Sequence, residues 1–471
     1  MSRRLLDQPW LYFAGAGLLL VVAVATQFEF SLPAREAGTP ADLVGLRDRD
    51  DLNVVFIVVD TMRADHLSSY GYERATTPNM DTLAQFGIRF ADVISQSTWT
   101  KASMASLWTG AYPANHEILR FNHVMPDEAL MPAEILRQAG LRTAGIWRNG
   151  WVAPNFGFSQ GFDVYLHPTP GDAQRKLQRT RPGGGVVPGS DEDVAMATFE
   201  FVDTFGTERF FLYVHMMDLH QYVYDQNAPD FGSSYLDAYD AALNWSDRVV
   251  GLIVNHLEDR GLLEKTLIVI TSDHGEAFQE HGTEGHARNL FREVIQVPWI
   301  ISLPFALEPG IVVEERVENV DVWPTLLDLL GMPSLVQPDG RSLLPTMLAA
   351  GGVAVEGDPA ADRRPQAYSQ LDRYWGQRDQ SKPLVAVIEG PKRLMYWADD
   401  SQPLELYDTD ADPNELDNAY DPASEESQRL QALAQDYFEG GESPWGVSPI
   451  EIELDELMLN QLRALGYEIG R

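Results

Sequence analysis

Two apolar stretches of this 471-residue chain lead directly to side chains that bind cations. Residues 54–59 end at Asp60, and residues 267–270 are followed closely by Asp273 and His274. A carboxylate at the end of a buried strand is unfavourable unless a metal, an arginine or a helix N-terminus lies beside it, or it caps a turn. Adjacent oxygen and nitrogen donors suit a divalent cation. The two segments predict a metal site, with turn capping as the alternative for Asp60.

A third segment, residues 97–110, begins with hydroxyl side chains and continues as an apolar helical pattern. This order places Thr98 or Thr100 at a helix N-terminus, where free N–H groups and the helix dipole favour an anion. An ordinary N-cap is the alternative interpretation. In the functional interpretation, a metal and the dipole lower the cost of ionising Thr100, which makes it a nucleophile.

The elements that must position these residues are short apolar runs, at residues 54–59, 143–147, 210–214, 267–270 and 297–303. Nearly continuous β-branched and aromatic runs indicate strands buried on both faces, as in a mostly parallel sheet covered by helices. The predicted fold class is therefore α/β. Ligands of such sheets bind beyond the carboxyl ends of the strands, so the polar residues that follow four of the runs are expected to converge.

The charge balance and the absence of cysteine exclude several kinds of protein. The chain has 70 acidic and 35 basic side chains and a formal net charge of -35. This charge repels polyanions, so no nucleic-acid partner is expected. With no cysteine, the chain forms neither a disulfide nor a thiolate metal site, and it has no cysteine nucleophile.

The amino terminus has the features of an export signal. Arg3 and Arg4 precede an apolar run in which residues 9–25 carry no charge. This length is near the lower limit for a membrane-spanning helix, and residues 23–25 resemble a signal-peptidase site. Residues 1–30 are predicted to be a signal anchor or a cleaved signal peptide, followed by a linker at residues 31–51. The anchor is favoured, which predicts membrane attachment through the N-terminal helix with the rest of the chain periplasmic or extracellular; secretion is the alternative.

In this order, the segments resemble the successive motifs of the sulfatase branch of the alkaline phosphatase superfamily. The resemblance covers residues 51–418. Besides the three segments above, it rests on these motifs: Thr109-Gly110, Ser272 to Glu276, Glu280-His281-Gly282, Gly285-His286 and residues 405–413. It implies a mixed, mostly parallel sheet sandwiched by helices, with a small C-terminal α+β subdomain. The expected domains are a catalytic domain at residues 52–348, the subdomain at residues 365–420 and a helical tail at residues 421–471.

The resemblance also implies roles for individual residues. Metal ligands are expected at Asp60, Thr100, Asp273 and His274, with Thr100 also the nucleophile. His220 is expected to contact the substrate or assist the leaving group, and His286 to contact the transferred group. The chain departs from the family where sulfatases have a Lys and a His after the next strand, because it has Arg148-Asn149-Gly150 there. Lys101, Arg148 and Asn149 are expected to make the substrate contacts instead, with Arg288 as another replacement for the missing cations. His215 is interpreted as a core histidine.

Three departures from the sulfatase pattern alter the expected chemistry. Sulfatases oxidise a Cys or Ser to formylglycine within a Cys-x-Pro-x-Arg core, and this chain has Thr100, Ala102 and Met104 at those positions. Threonine is the nucleophile of some phosphodiesterases and membrane phosphoglycerol or phosphoethanolamine transferases of the superfamily, which favours reaction at phosphorus. Those transferases have several membrane helices, whereas this chain has at most one, which favours hydrolysis.

The metal is expected to be a single divalent ion. Thr61 replaces a second family carboxylate, and His274 replaces an amide. Fewer oxygen ligands and an added imidazole favour manganese, zinc or magnesium over calcium. The sequence shows no convincing Asp-x-x-x-His pattern for a second ion.

The sequence thus predicts a metal-dependent hydrolase of phosphate or sulfate esters, with phosphodiesters or phosphonate-type esters favoured. One alternative is a sulfuric ester hydrolase that works without formylglycine. Another is a catalytically silent protein that binds a glycan or a cell-envelope partner. The substrate is expected to be a small-molecule or cell-envelope ester, while its identity and the oligomeric state are open.

Overall fold

The computed structural model describes residues 35–454 except 172–176, 179–187, 226, 356, 358–363, 373–382 and 400–401, and beyond residue 454 only Leu459 and Leu462. The signal segment predicted at residues 1–30 lies outside the described residues. Within the part of the chain that is described, no helix has both the length and the apolar character that a bilayer crossing requires.

Eight strands form the main sheet. In chain order they are β1 (Asn53–Val59), β2 (Ile88–Ile94), β3 (Arg142–Trp147), β4 (Val164–Leu166), β5 (Phe210–Met216), β6 (Thr266–Thr271), β7 (Gln296–Ser302) and β8 (Ile311–Glu318). Their order across the sheet is β8-β2-β7-β6-β1-β5-β3-β4. Only β7 runs antiparallel to its neighbours, so the mixed, mostly parallel sheet is confirmed.

Helices cover both faces of this sheet. The longer ones are α1 (Pro78–Gln85), α2 (Thr100–Thr109), α3 (Pro132–Gln138), α4 (Asp191–Phe205), α5 (Tyr235–Asp259), α6 (Val322–Leu329) and α7 (Leu344–Ala350). A further long helix, α8 (Glu425–Glu439), packs on the C-terminal strands described below. Short helices lie at Asp42–Gly45, Pro113–His116 and Arg292–Ile295. Because side chains of a strand alternate between faces, Phe56 of β1 packs toward α2, α3, α6 and α7, and Ile57 packs toward α1, α4 and α5.

The five apolar runs are the strands β1, β3, β5, β6 and β7, but the sequence did not predict β2, β4 or β8. β2 and β8 are interrupted by charged residues, and β4 has only three residues. In β2, Arg89 and Asp92 are half-buried, and β8 at the sheet edge alternates buried and more exposed residues. An edge strand needs only one buried face, and its composition therefore resembles that of a loop.

Part of the predicted linker is packed against the fold. Ala37–Gly38 pairs in parallel with Ala306–Leu307, and Leu43 and Leu46 of the segment that follows are buried in the main core. These contacts bury apolar side chains that a flexible linker would expose. Residues 37–48 therefore belong to the folded unit.

The C-terminal subdomain is a four-stranded antiparallel sheet with a helix on one face. Its strands are β9 (Gln366–Asp372), β10 (Pro383–Glu389), β11 (Lys392–Trp397) and β12 (Glu405–Asp408). Leu430 and Ala434 of α8 pack against Val385 and Val387 of β10. The helix predicted in the tail therefore completes the subdomain, which extends beyond residue 420.

A cluster of aromatic rings packs α2 and α6 against the central strands β1 and β5. Trp108 of α2 lies 5.6 Å from the ring of Phe56, 4.9 Å from Tyr213 and 5.4 Å from Trp323, measured between centroids. This cluster fixes α2 against the central strands, and α2 carries Thr100 at its first turn.

We expect Trp108→Ala to lower the free energy of unfolding by about 3–5 kcal/mol, because it removes a buried ring and leaves a cavity. Met196→Ala is the control, since Met196 is 59% exposed and its truncation should change stability by less than about 0.5 kcal/mol. Denaturant titration, monitored by tryptophan fluorescence and circular dichroism, measures the free energy of unfolding of both variants. Equal effects of the two substitutions would contradict the proposed role of the cluster.

Candidate active site

Two buried carboxylates meet at the carboxyl ends of β1 and β6, which are parallel neighbours. Asp60 follows β1 and Asp273 follows β6, and both are fully buried. The turns that carry them are joined, because Thr61 N–H donates to Asp273 Oδ1 at 3.3 Å and Ser272 Oγ donates to Val59 O at 2.7 Å. Thr61 has a φ of 62°, a strained conformation for a β-branched residue.

The donor atoms around this pair fit a metal ion. Asp60, Asp273 and His274 each offer a ligand atom, and these atoms lie within 4.8 Å of one another. Among the described residues, Asp60 Oδ1 and Asp273 Oδ2 are buried without a hydrogen-bond partner. His274 Nδ1–H donates to Gly275 O at 3.0 Å, so Nε2 carries the lone pair that a metal requires. Unsatisfied carboxylate oxygens beside an imidazole lone pair are the donor set of a divalent cation.

The electrostatics of the pair favour the same conclusion. Burial raises the pKa of Asp273, and the negative charge of Asp60 raises it further. Burial also acts to raise the pKa of Asp60, but His220, His215 and His274 outweigh it and lower that pKa. A divalent cation between the carboxylates would offset both the desolvation and the mutual repulsion.

Thr100 is the first residue of α2 and faces the metal ligands. Its Oγ1 lies 3.2 Å from His274 Nε2. The helix is fixed to the β6 turn because Ser103 Oγ donates to Asp273 O at 2.5 Å, and Ser95 Oγ donates to the same carbonyl oxygen. Since the first N–H groups of a helix lack intrahelical acceptors, the α2 terminus favours an anion next to this hydroxyl.

Asn149, which the sequence predicts as a substrate contact, joins the predicted nucleophile Thr100 to the predicted metal ligand Asp60. Its Nδ2 donates to Asp60 Oδ2 at 2.6 Å and to Thr100 Oγ1 at 3.3 Å, while its Oδ1 accepts from Trp151 N–H at 2.8 Å. With both ends of the amide engaged, Asn149 orients the carboxylate and the hydroxyl toward one another.

The two predicted catalytic histidines lie beside the metal ligands. The ring of His286 is 4.4 Å from that of His274 and 4.9 Å from that of His220, between centroids. His286 Nδ1 lies 3.2 Å from Glu276 Oε1, which orients the ring. The loop of His286 is attached near the nucleophile, because Ala287 N–H donates to Thr98 O at 3.0 Å.

Lys101 and Arg148, also predicted to contact substrate, have other partners. Lys101 Nζ donates to Arg120 O at 3.3 Å and Phe121 O at 2.9 Å and lies 3.7 Å from the centroid of the Phe156 ring. Its burial lowers the pKa of the Lys101 ammonium. Arg148 is buried between two carboxylates, which are described below. We therefore revise the sequence expectation, and neither cation is expected to contact the substrate.

Sequence reasoning missed His215 and Glu276. His215 was interpreted as a core residue, but its Nε2 donates to Asp60 Oδ2 at 3.1 Å, and its Nδ1 lies 2.5 Å from Tyr213 OH. The contact becomes visible only from the register of the sheet, which pairs His215 with Val58, two residues before Asp60. Strand order was needed to find this contact.

The fold and the site define an alkaline-phosphatase-like α/β hydrolase, and the comparisons with known proteins agree. The sulfatase family model matches residues 52–332, and a model of the C-terminal region of N-sulphoglucosamine sulphohydrolase matches residues 280–437. The chain belongs to the sulfatase family, a family of metal-dependent ester hydrolases.

Curated relatives share limited identity with the chain. N-acetylgalactosamine-6-O-sulfatase of Bacteroides thetaiotaomicron is 23% identical over 494 residues, 81% of this chain and 92% of that protein. Human arylsulfatase A is 28% identical over 356 residues, 64% of this chain and 68% of that protein. Arylsulfatase K of Gallus gallus is 32% identical over 184 residues, but the match spans only 32% of that protein and 38% of this chain.

Solved structures share the fold. The phosphonate monoester hydrolase of Agrobacterium radiobacter matches with a TM-score of 0.65 and 20% identity, over 83% of this chain and 95% of that one. A 2-O GAG sulfatase matches with a TM-score of 0.66 and 18% identity, over 87% of this chain and 96% of that one.

Asp273→Asn should abolish tight binding of a divalent ion, because it removes one charged ligand while keeping the side-chain shape. Without metal, the variant should be at least as stable as the wild type, since burial disfavours the Asp273 carboxylate. For the wild type, metal at 100 times its dissociation constant should add about 2.7 kcal/mol of stability.

Thermal unfolding of chelator-treated protein with and without Mn²⁺ or Zn²⁺, together with equilibrium dialysis, measures these effects. Asp259→Asn at an exposed position is the control and should keep the metal response. An unchanged response in Asp273→Asn would exclude this residue as a ligand.

Proposed function

We propose that the chain is a metal-dependent ester hydrolase with Thr100 as its nucleophile and with phosphodiesters or phosphonate monoesters as its preferred substrates. The observation that carries the proposal is the position of Thr100 Oγ1, 3.2 Å from His274 Nε2 and 3.3 Å from Asn149 Nδ2. The hydroxyl thus lies next to the predicted metal ligands and at the start of α2, where a nucleophilic oxygen and an anionic substrate group would both be stabilised.

Asp60, Asp273, His274 and Thr100 would hold one divalent ion, with manganese, zinc or magnesium favoured over calcium. When bound, such an ion supplies Lewis-acid stabilisation of negative charge at the hydroxyl and at the transferred group. Asn149 holds the Thr100 hydroxyl by donating to its oxygen, and the N–H groups at the start of α2 face the developing negative charge. His215 donates to Asp60 Oδ2 and keeps this carboxylate oriented.

The reaction proceeds in two displacements. Thr100 first releases its hydroxyl proton to solvent. Its Oγ1 then attacks phosphorus, a Thr100 ester bond forms, the bond from phosphorus to the leaving oxygen breaks, and His220 or His286 donates a proton to that oxygen. Water next attacks phosphorus and gives a proton to the same histidine, the Thr100 ester bond breaks, and the departing threonine oxygen takes a proton back from solvent.

A singly charged ester suits the charges of the site. Lys101, which follows Thr100 in sequence, and Arg148, which precedes Asn149, are engaged by carbonyl oxygens and carboxylates. The buried Asp60 and Asp273 already match the charge of one divalent ion. A phosphodiester or a phosphonate monoester carries one negative charge, which the protonated His220 or His286 of the proposed mechanism would offset. A phosphate monoester dianion would carry a second negative charge without a counter-charge.

The second candidate is sulfate ester hydrolysis, which the names of the curated relatives favour. A sulfate monoester is also singly charged. Threonine does not supply the formylglycine that sulfatases form from Cys or Ser, so a sulfated Thr100 would need hydrolysis by water, which we expect to be slow.

The setting of the reaction is inferred from the sequence alone. The charged start and apolar run of residues 1–30 predict export of the catalytic domain, as a periplasmic or extracellular protein that is anchored or secreted. A small-molecule or cell-envelope ester is the expected substrate in that location.

Thr100→Ala should lower kcat at least about 10³-fold on every substrate, because it removes the nucleophile. Thr100→Ser keeps a hydroxyl and should retain measurable activity. Initial rates on bis-p-nitrophenyl phosphate, p-nitrophenyl phenylphosphonate, p-nitrophenyl phosphate and p-nitrophenyl sulfate, with each metal added to chelator-treated protein, test the proposal.

Preference for the diester or phosphonate supports the leading proposal, and preference for the sulfate supports the second candidate. Full activity of Thr100→Ala would refute both forms of the threonine mechanism.

His220→Ala and His286→Ala should show which histidine protonates the leaving group. Loss of a general acid costs about 10²–10⁴-fold for a basic leaving group and far less for p-nitrophenolate, which leaves without a proton. Rates on methyl and p-nitrophenyl esters of phenylphosphonate measure the difference. Equal losses on both esters would show that the substituted histidine has another role.

A further inference from the structure

A buried cluster of one cation and two carboxylates lies behind the site. Arg148 Nη1 donates to Asp191 Oδ1 at 2.9 Å and to Asp218 Oδ1 at 2.6 Å, and the arginine Nη2 donates to Gly189 O at 2.7 Å. The Arg148 side chain is 1% exposed, and both aspartate side chains are 0% exposed. Buried ions of this kind depend on their partners, because loss of one partner leaves an uncompensated charge.

Each member of the cluster belongs to a different element. Arg148 follows β3, Asp191 is the first residue of α4, and Asp218 follows β5. Asp191 accepts from the N–H groups of Met217 at 2.7 Å and Asp218 at 2.9 Å. Asp218 Oδ2 in turn accepts from Asp191 N–H and from Trp245 Nε1–H, both at 2.8 Å. The cluster therefore fixes the ends of β3 and β5 relative to one another and to α4.

Two site residues are carried by the segments fixed in this way. Asn149 directly follows Arg148 and bridges Asp60 and the nucleophile. His220 lies two residues after Asp218, in a turn closed by a hydrogen bond from Val223 N–H to Asp218 O at 2.9 Å. A shift of the arginine or of either carboxylate would displace the Asn149 amide and the His220 imidazole together.

We propose that Arg148 is a positioning residue that acts on the chemical step through Asn149 and His220, without contacting the substrate. The inference rests on the proposed function, in which Asn149 holds the nucleophilic Thr100 hydroxyl and His220 is a candidate proton donor to the leaving group. A displacement of about 1 Å in such groups is enough to cost about 10²-fold in rate. The cost falls on kcat and not on substrate binding, because Arg148 is enclosed by its partners.

The test compares Arg148→Lys and Arg148→Met with the wild type in the presence of saturating metal. A lysine ammonium can reach both carboxylates but cannot also donate to Gly189 O as a guanidinium does. We expect Arg148→Lys to lower kcat about tenfold with KM within about twofold, and Arg148→Met to lower kcat about 10²-fold or more. Arg142→Lys, at the half-exposed start of the same strand, is the matched control and should keep the wild-type kcat.

Two further readouts separate positioning from general destabilisation. The loss in Arg148→Lys should be larger on an ester with an alkoxide leaving group than on a p-nitrophenyl ester, because His220 is displaced. In a double-mutant cycle with Asn149→Ala, the combined loss should be smaller than the product of the single losses, because both changes affect one unit. Asp218→Asn, which keeps the side-chain shape, gives the same readouts if Arg148→Met does not fold.

Each alternative outcome is decisive. A higher KM with unchanged kcat would mean that Arg148 contacts the substrate, which overturns the proposal. Equal losses of kcat on both leaving groups, together with a multiplicative double-mutant cycle, would assign Arg148 a purely structural role, which also overturns the proposal. Failure of the proposed function itself is recognised separately, as activity that persists in Thr100→Ala.

Discussion

Two negative charges share one buried space in this protein, and the arrangement of the rest of the site follows from that constraint. Asp60 and Asp273 are brought together because β1 and β6 pair in parallel and end at the same edge of the sheet. Each carboxylate loses hydration and repels the other, so the folded state requires positive charge or hydrogen-bond donors around them. One oxygen of each carboxylate has no hydrogen-bond partner among the described residues. A divalent cation bound between these oxygens would neutralise the two charges.

The surrounding elements supply the remaining donors from different directions. His215 comes from β5, Asn149 from the end of β3 and the Thr61 N–H group from the turn after β1. Ser103 in the first turn of α2 and Ser95 after β2 both donate to the Asp273 carbonyl, which places the helix terminus and Thr100 beside the carboxylates. One hydrogen-bond network therefore satisfies the carboxylates and orients the nucleophile, which links the stability of the site to its chemistry.

The solved structures of a phosphonate monoester hydrolase and a 2-O GAG sulfatase share this fold with the chain at low identity. Family membership fixes the place of the site at the carboxyl end of the sheet but not the reacting atoms. In the proposed mechanism, a threonine takes the position of the family nucleophile. The Lys101 and Arg148 cations are buried with carbonyl oxygens and carboxylates as their partners. These differences concern the reacting groups, and they direct the proposed chemistry toward singly charged esters.

Much of this arrangement was readable from the sequence. Local patterns determined the class of the fold, the five apolar strands, and the positions of Asp60, Thr100, Asp273 and His274, because periodicity and strand-end carboxylates are properties of neighbouring residues. The site contact of His215 and the burial of Arg148 between two aspartates were decided only by the tertiary structure. Strand order and register place residues far apart in the chain beside one another, and no local pattern carries that information. A histidine within an apolar strand and an arginine after a strand can each face the core or the site, and only the packed sheet decides which partners their charges meet.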